Sequence, residues 1–92
     1  MEKIRLLRKK IVGDWLRKTR ERRGLTLLKV GLGMGFSSGQ NILNIEKGRA
    51  QLPVKRIRKI SEIYNIPAEV LIDKLAAQYY EILLAKFENK RS

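Results

Sequence analysis

The chain has 92 residues, no cysteine and no histidine, is 43% hydrophobic and 33% charged, and carries 21 Lys+Arg against 9 Asp+Glu for a formal charge of +12. That length allows one domain with a modest core and is too short for a doubly wound nucleotide-binding sheet. The missing residue types exclude a disulfide framework, thiolate or imidazole zinc sites, and Cys or Ser–His nucleophile systems. No apolar run approaches the roughly 20 residues of a membrane span, and MEKIRLLRKK lacks the apolar core and cleavage site of a secretory signal, so a cytoplasmic location is expected.

In chain order, residues 1–12 read as a basic N-terminal arm or as an extension of the first helix, since Ile4, Leu7 and Ile11 stand at helical spacing. IVGDWLRKTRERRG follows as a helix with Ile11, Trp15 and Leu16 on one side, and Gly24 is placed to end it. Thr26 is the N-cap candidate of a second helix, in which Leu27, Val30 and Met34 recur at spacings of three and four. Gly31 and Gly33 each cost about 1 kcal/mol in a helix interior, so packing must hold this segment.

Gly35 suits a left-handed cap and Phe36 an apolar anchor in the turn. Ser37 or Ser38 can cap a third helix, with Ile42 and Ile45 inward and Gly48 at its end. Pro53 suits a first helical turn, and Val54, Ile57, Ile60, Ile63 and Tyr64 form the inward stripe of a fourth helix. Asn65-Ile66-Pro67 breaks it, and a fifth helix runs to about Phe87. The expected class is all-α, five helices with an extended C-terminal one.

The stretch GLGMGFSSGQN holds four glycines in eleven residues. A dinucleotide cradle would need a buried strand before the first glycine and an acidic residue about 20 positions on, and ERRGLTLLKV is no such strand. A helix-turn-helix explains individual positions instead: Gly31 allows the third helix to cross closely and Gly35 makes the turn. A helical hairpin packed only for stability is the plain alternative.

Charge separates the two. Residues 1–23 carry ten basic and three acidic side chains, 47–60 carry six basic and no acidic ones, and 61–89 carry two basic and five acidic. One-signed basic segments are the footprint of a polyanion binder; attraction to an anionic membrane surface and plain solubility are the alternatives.

Over residues 13–75 the order of residues resembles the helix-turn-helix domains of phage repressors, Cro proteins and related bacterial regulators. GDWLRKTRERRGLT is similar to their first helix and the start of the second. VGLGMG supplies the small residue and turn glycine, ILNIEKG the recognition helix and its stop, and LPVKRIRKISEIYNIPAEVL the last two helices. Three departures stand out. Leu27 occupies a position where the family often has Gln. The span from Gly35 to Gly48 is one residue longer than is common. Leu28 and Leu32 are apolar where polar residues are usual, either as core or as a contact surface for another subunit.

The resemblance implies a non-enzymatic, sequence-specific regulator of transcription that binds double-stranded DNA and needs no metal or cofactor. Carried across, Ser38, Gln40, Asn41 and Asn44, on a recognition helix near residues 38–47, would face the bases. Gln and Asn can make paired hydrogen bonds to adenine. Ser37, Lys47, Arg49, Lys55, Arg56 and Lys59 would hold phosphates, and Arg20 with Glu46 would form a structural ion pair. The protein would then work at the nucleoid, as a repressor.

The last helix has more apolar circumference than one core needs. Leu71, Leu75, Tyr79 and Ile82 suit one stripe, and Ala76, Tyr80, Leu83, Leu84 and Phe87 the other side. Residues 76–92 are therefore expected to dimerise the protein, with Tyr79, Tyr80, Leu83, Leu84 and Phe87 at a two-fold interface. The alternative is the same fold used as a protein-interaction module, an antitoxin or antirepressor partner, with contacts through Leu27, Leu28, Leu32 and the last helix.

Overall fold

A computed structural model of the chain describes residues 2–91, with side-chain surroundings described for residues 11–89. Five helices follow one another: α1 (Glu2–Arg22), α2 (Leu27–Gly33), α3 (Gln40–Glu46), α4 (Ile57–Tyr64), entered through a 3₁₀ turn at Val54–Arg56, and α5 (Ala68–Arg91). No strand occurs among the described residues. The backbone of α1 begins at Glu2, while the side chains of the basic segment 1–10 lie outside the described residues.

Local chemistry sets the element ends. The Thr26 hydroxyl accepts the Lys29 N–H at 3.0 Å, satisfying one of the first donors of α2. Gly35 has φ +89°, a left-handed conformation that reverses the chain, and the following Phe36 N–H donates to the Gly31 carbonyl at 2.9 Å. Asn65 leaves α4 in the same left-handed region with φ 53°, and Pro67 then precedes α5.

The core consists of Val12, Leu16, Val30, Met34, Ile42, Leu52, Ile60, Tyr64 and Leu71, with Trp15, Phe36, Ile45 and Ile57 packed against it. Three expected core positions are corrected. In α1 the buried stripe is Val12, Leu16, Thr19 and Arg20, so Ile11 is 58% exposed; polar Thr19 and Arg20 hide the true phase of the helix. Val54 is 84% exposed and opens the 3₁₀ turn that precedes α4, so it lies outside that helix. In α5 the inward stripe is Leu71, Gln78 and Ile82, and Tyr79 faces outward.

α1 and α5 run antiparallel. The Val12 N–H donates to Gln78 Oε1 at 3.1 Å, and the Lys74 ammonium lies 5.5 Å from the centre of the Trp15 ring, so advancing along one helix retreats along the other. Burial of the Gln78 amide is thereby matched with a hydrogen bond.

Three glycines bring α3 and its neighbours within backbone contact. A methyl group on Gly31 would overlap the Ser38 carbonyl, and one on Gly39 would lie 2.7 Å from Leu27 Cβ, so α2 and the entry to α3 touch on both sides. Gly13 does the same for α1, where a Cβ would fall 2.6 Å from the Ile45 carbonyl oxygen. Gly33 is different: its added Cβ would meet only the end of the Ile63 side chain, at 3.0 Å.

Gly31→Ala should therefore destabilise the protein by about 1–3 kcal/mol, because rigid backbone must move. Gly33→Ala should be close to neutral or stabilising, since a flexible side chain yields and about 1 kcal/mol of helix propensity is gained. Thermal melts of the two variants distinguish them, and equal losses would contradict the close crossing.

Candidate nucleic-acid interface

α3 is seven residues long. Ile42 and Glu46 are buried on its inner side, while Gln40, Asn41 and Lys47 are exposed and Asn44 half-buried on the outer one. Gln40 and Asn44 stand one turn apart and are joined, the Gln40 Nε2 donating to Asn44 Oδ1 at 3.2 Å. The helix begins later than the residue 38 expected from sequence. Ser38 lies in the turn, where its hydroxyl accepts the Gln40 N–H at 3.2 Å, and its carbonyl is the group pressed against Gly31. Gly39 is the N-cap residue.

Beyond α3 the chain folds back at once, with the Arg49 and Ala50 N–H groups both donating to the Asn44 carbonyl at 2.9 and 3.2 Å. Ser37, Arg49, Lys55 and Lys59 are exposed. Arg56 is not: it is half-buried, donates from Nη1 to the Met34 carbonyl at 3.0 Å, and has its guanidinium carbon 4.8 Å from the centre of the Phe36 ring.

Behind the helix, Arg20 and Glu46 meet. Arg20 Nε donates to Glu46 Oε2 at 2.7 Å and Nη2 to Oε1 at 3.1 Å, a two-pronged pair in which the side chains are 10% and 2% exposed. The third prong, Nη1, donates to the Leu25 carbonyl at 2.8 Å, so one guanidinium ties together the end of α1, the approach to α2 and the last turn of α3. The hydrogen bond to Glu46 raises the Arg20 pKa against the opposing effect of burial. Burial, reinforced by the Glu46 carboxylate, also pushes the nearby Tyr64 phenol above its ordinary range.

A second arginine was not singled out by the sequence. Arg23 donates from Nε to the Tyr64 carbonyl at 3.0 Å and from Nη2 to the Asn65 carbonyl at 3.1 Å, holding the left-handed end of α4 to α1. Its only sequence signal is its place near the end of α1, where basic side chains often serve carbonyl groups. Gly13, too, carries no local signal, because its partners Ile45 and Glu46 are more than thirty residues away.

On α5, Tyr79, Tyr80, Leu83, Leu84 and Phe87 are 58%, 64%, 47%, 37% and 58% exposed. An apolar groove of about 480 Å³ opens beside them, with Leu52, Val54 and Ile57 on one wall and Ile72, Ala76 and Tyr79 on the other. Leu28 and Leu32 are 53% and 56% exposed on the outside of α2 and are not core. No described helix is long and apolar enough to cross a membrane.

A helix-turn-helix family model matches residues 16–71, a span that contains α2, the turn, α3 and α4 entire. No curated protein and no solved structure matches the chain.

Breaking the buried pair from one side strands its partner, so Arg20→Ala and Glu46→Ala should each cost roughly 3–5 kcal/mol. Denaturant unfolding of both variants checks this, and an unchanged midpoint would remove the pair from the account.

Proposed function

The chain belongs to the helix-turn-helix family of Cro- and repressor-like bacterial and phage regulators, and we propose that it is a homodimeric, sequence-specific repressor of transcription. That it is a DNA-binding regulator follows from the family. The observation that carries the finer reading is the outer face of α3. Two amide side chains stand there, Gln40 exposed and Asn44 half-buried, and residues 47–60, which follow in the chain, carry six basic and no acidic side chains.

In this reading α3 enters the major groove. Gln40 and Asn44 read base edges, with Ser38 and Asn41 at the entry, and a bidentate amide–adenine pair discriminates by about 1–3 kcal/mol. The hydrogen bond between the two amides uses one N–H of Gln40 and leaves its carbonyl and other N–H as an acceptor–donor edge for adenine. Ser37, Lys47, Arg49, Lys55 and Lys59 hold phosphates around it, which sets register without specifying sequence. The protein would act in the cytoplasm, at the nucleoid, with no catalytic step.

Dimerisation is inferred from α5. The five exposed residues Tyr79, Tyr80, Leu83, Leu84 and Phe87 lie on one side of the helix and would offer on the order of 500 Å² of largely apolar surface. Ile72 and Val54 at the groove extend this toward the roughly 800 Å² per partner of a stable interface. A two-fold pair through α5 would set two reading helices about 34 Å apart and favour a palindromic site.

A second reading has one observation of its own. Leu28 and Leu32, exposed and one helical turn apart on α2, suit an apolar protein partner such as an antitoxin or antirepressor complex would supply.

With six to ten phosphates neutralised, affinity for duplex DNA should fall about 10³–10⁵-fold between 50 and 200 mM salt, as measured by fluorescence anisotropy. A flat response would overturn the reading. In sedimentation, Tyr80→Glu with Leu83→Glu should give a folded monomer at micromolar concentration where the parent chain is dimeric, and a parent chain that is itself monomeric would remove the dimer.

A further inference from the structure

Among the basic residues of 47–60, Arg56 is the one drawn inward. Lys47, Arg49, Lys55, Arg58 and Lys59 are exposed, whereas Arg56 is half-buried. Its Nη1 donates to the carbonyl of Met34, the residue that closes α2, and its guanidinium lies 4.8 Å from the centre of the Phe36 ring. A single planar cation thus grips the turn at two points on either side of Gly35, the residue whose positive φ reverses the chain.

The turn needs such a hold. A cleft of about 280 Å³ lined by Met34, Phe36, Asn41, Ile45 and Lys55 lies beside it, so Phe36 is not enclosed by packing on that side. Ser37, Ser38 and the first turn of α3 all follow from Phe36. Their approach to DNA depends on that ring together with the backbone contacts at Gly31 and Gly39.

We propose that Arg56 is a positioning residue for sequence reading, which fixes the turn between α2 and α3 through Met34 and Phe36 instead of neutralising a phosphate. This rests on the DNA-reading function proposed above. An arginine suits the task because its flat face covers the ring while its edge donates to the carbonyl; a lysine ammonium presents a point charge and no face.

The test compares salt slopes. Binding of the full chain, Arg56→Gln, Arg56→Lys and Lys55→Gln is measured from 50 to 200 mM salt. One probe is the best duplex recovered from a random pool, and the other an unrelated duplex. Lys55→Gln removes one phosphate contact from each half of the dimer and should flatten the slope of log affinity against log salt by about 1.8, on both duplexes alike. Arg56→Gln should keep the parent slope, lose about tenfold on the recovered duplex and little on the unrelated one. Arg56→Lys should not restore binding, although the charge is back.

Hydrogen exchange at the Phe36 amide gives a readout independent of DNA, and faster exchange in Arg56→Gln at an unchanged global melting temperature is expected. If Arg56→Gln does not fold, Phe36→Leu removes the ring with the arginine retained and should reproduce the same pattern. A flattened slope in Arg56→Gln, full rescue by lysine, or unchanged Phe36 exchange would overturn the proposal. A parent chain that prefers no duplex would overturn the DNA-reading function instead, and Phe36 exchange would still decide whether Arg56 holds the turn.

Discussion

α3 spans seven residues, about two turns, and a helix of that length does not persist on its own in water. Its position is imposed from outside, by backbone contact at Gly13, Gly31 and Gly39 and by the buried Arg20–Glu46 pair. The glycines let three backbones approach more closely than any side chain would permit, which sets the crossing. The ion pair then ties the C-terminal turn of α3 to the end of α1, on the face opposite Gln40 and Asn44. Gln40 and Asn44 therefore inherit their place from contacts made behind them.

The same division runs through the basic residues. A charge of +12 suggests a uniform electrostatic skin, yet Arg20 serves carboxylate and carbonyl groups inside the fold, Arg23 holds the end of α4 from the surface, and Arg56 grips the turn. Arg17 lies between Asp14 and Glu21, at 4.0 and 3.8 Å, on an exposed face where such pairs contribute little. What remains exposed in residues 47–60 is Lys47, Arg49, Lys55, Arg58 and Lys59, a smaller set than composition implies. The acidic balance of residues 61–89 falls mostly on α5, where apolar residues alternate with the charges.

Much of this was legible in the sequence because it is local. Gly24, Thr26, Gly35 and Asn65 each act within four residues of themselves, and the apolar spacing of Val30, Met34, Ile42 and Ile60 marks the inner faces of their helices correctly. The misplaced stripes of α1 and α5 have a common origin in buried polar groups. Thr19 and Arg20 occupy the inner face of α1, and Gln78 that of α5, so an apolar stripe drawn without them is rotated and takes in Ile11 and Tyr79, which are exposed. Gly13 and Arg23 escaped notice because their partners lie more than thirty residues away in sequence. Gly33, without an evident role in sequence, lies against the Ile63 side chain.

In the proposed function α3 reads a base sequence and two copies do so together. Selecting bound duplexes from a random pool tests both parts at once. Enrichment is expected of a palindrome whose half-sites lie about one helical turn, roughly 10 base pairs, apart, and is lost in Gln40→Ala plus Asn44→Ala while weak binding to any duplex persists. An unenriched pool from the parent chain, or the same palindrome recovered with both amides removed, would contradict it.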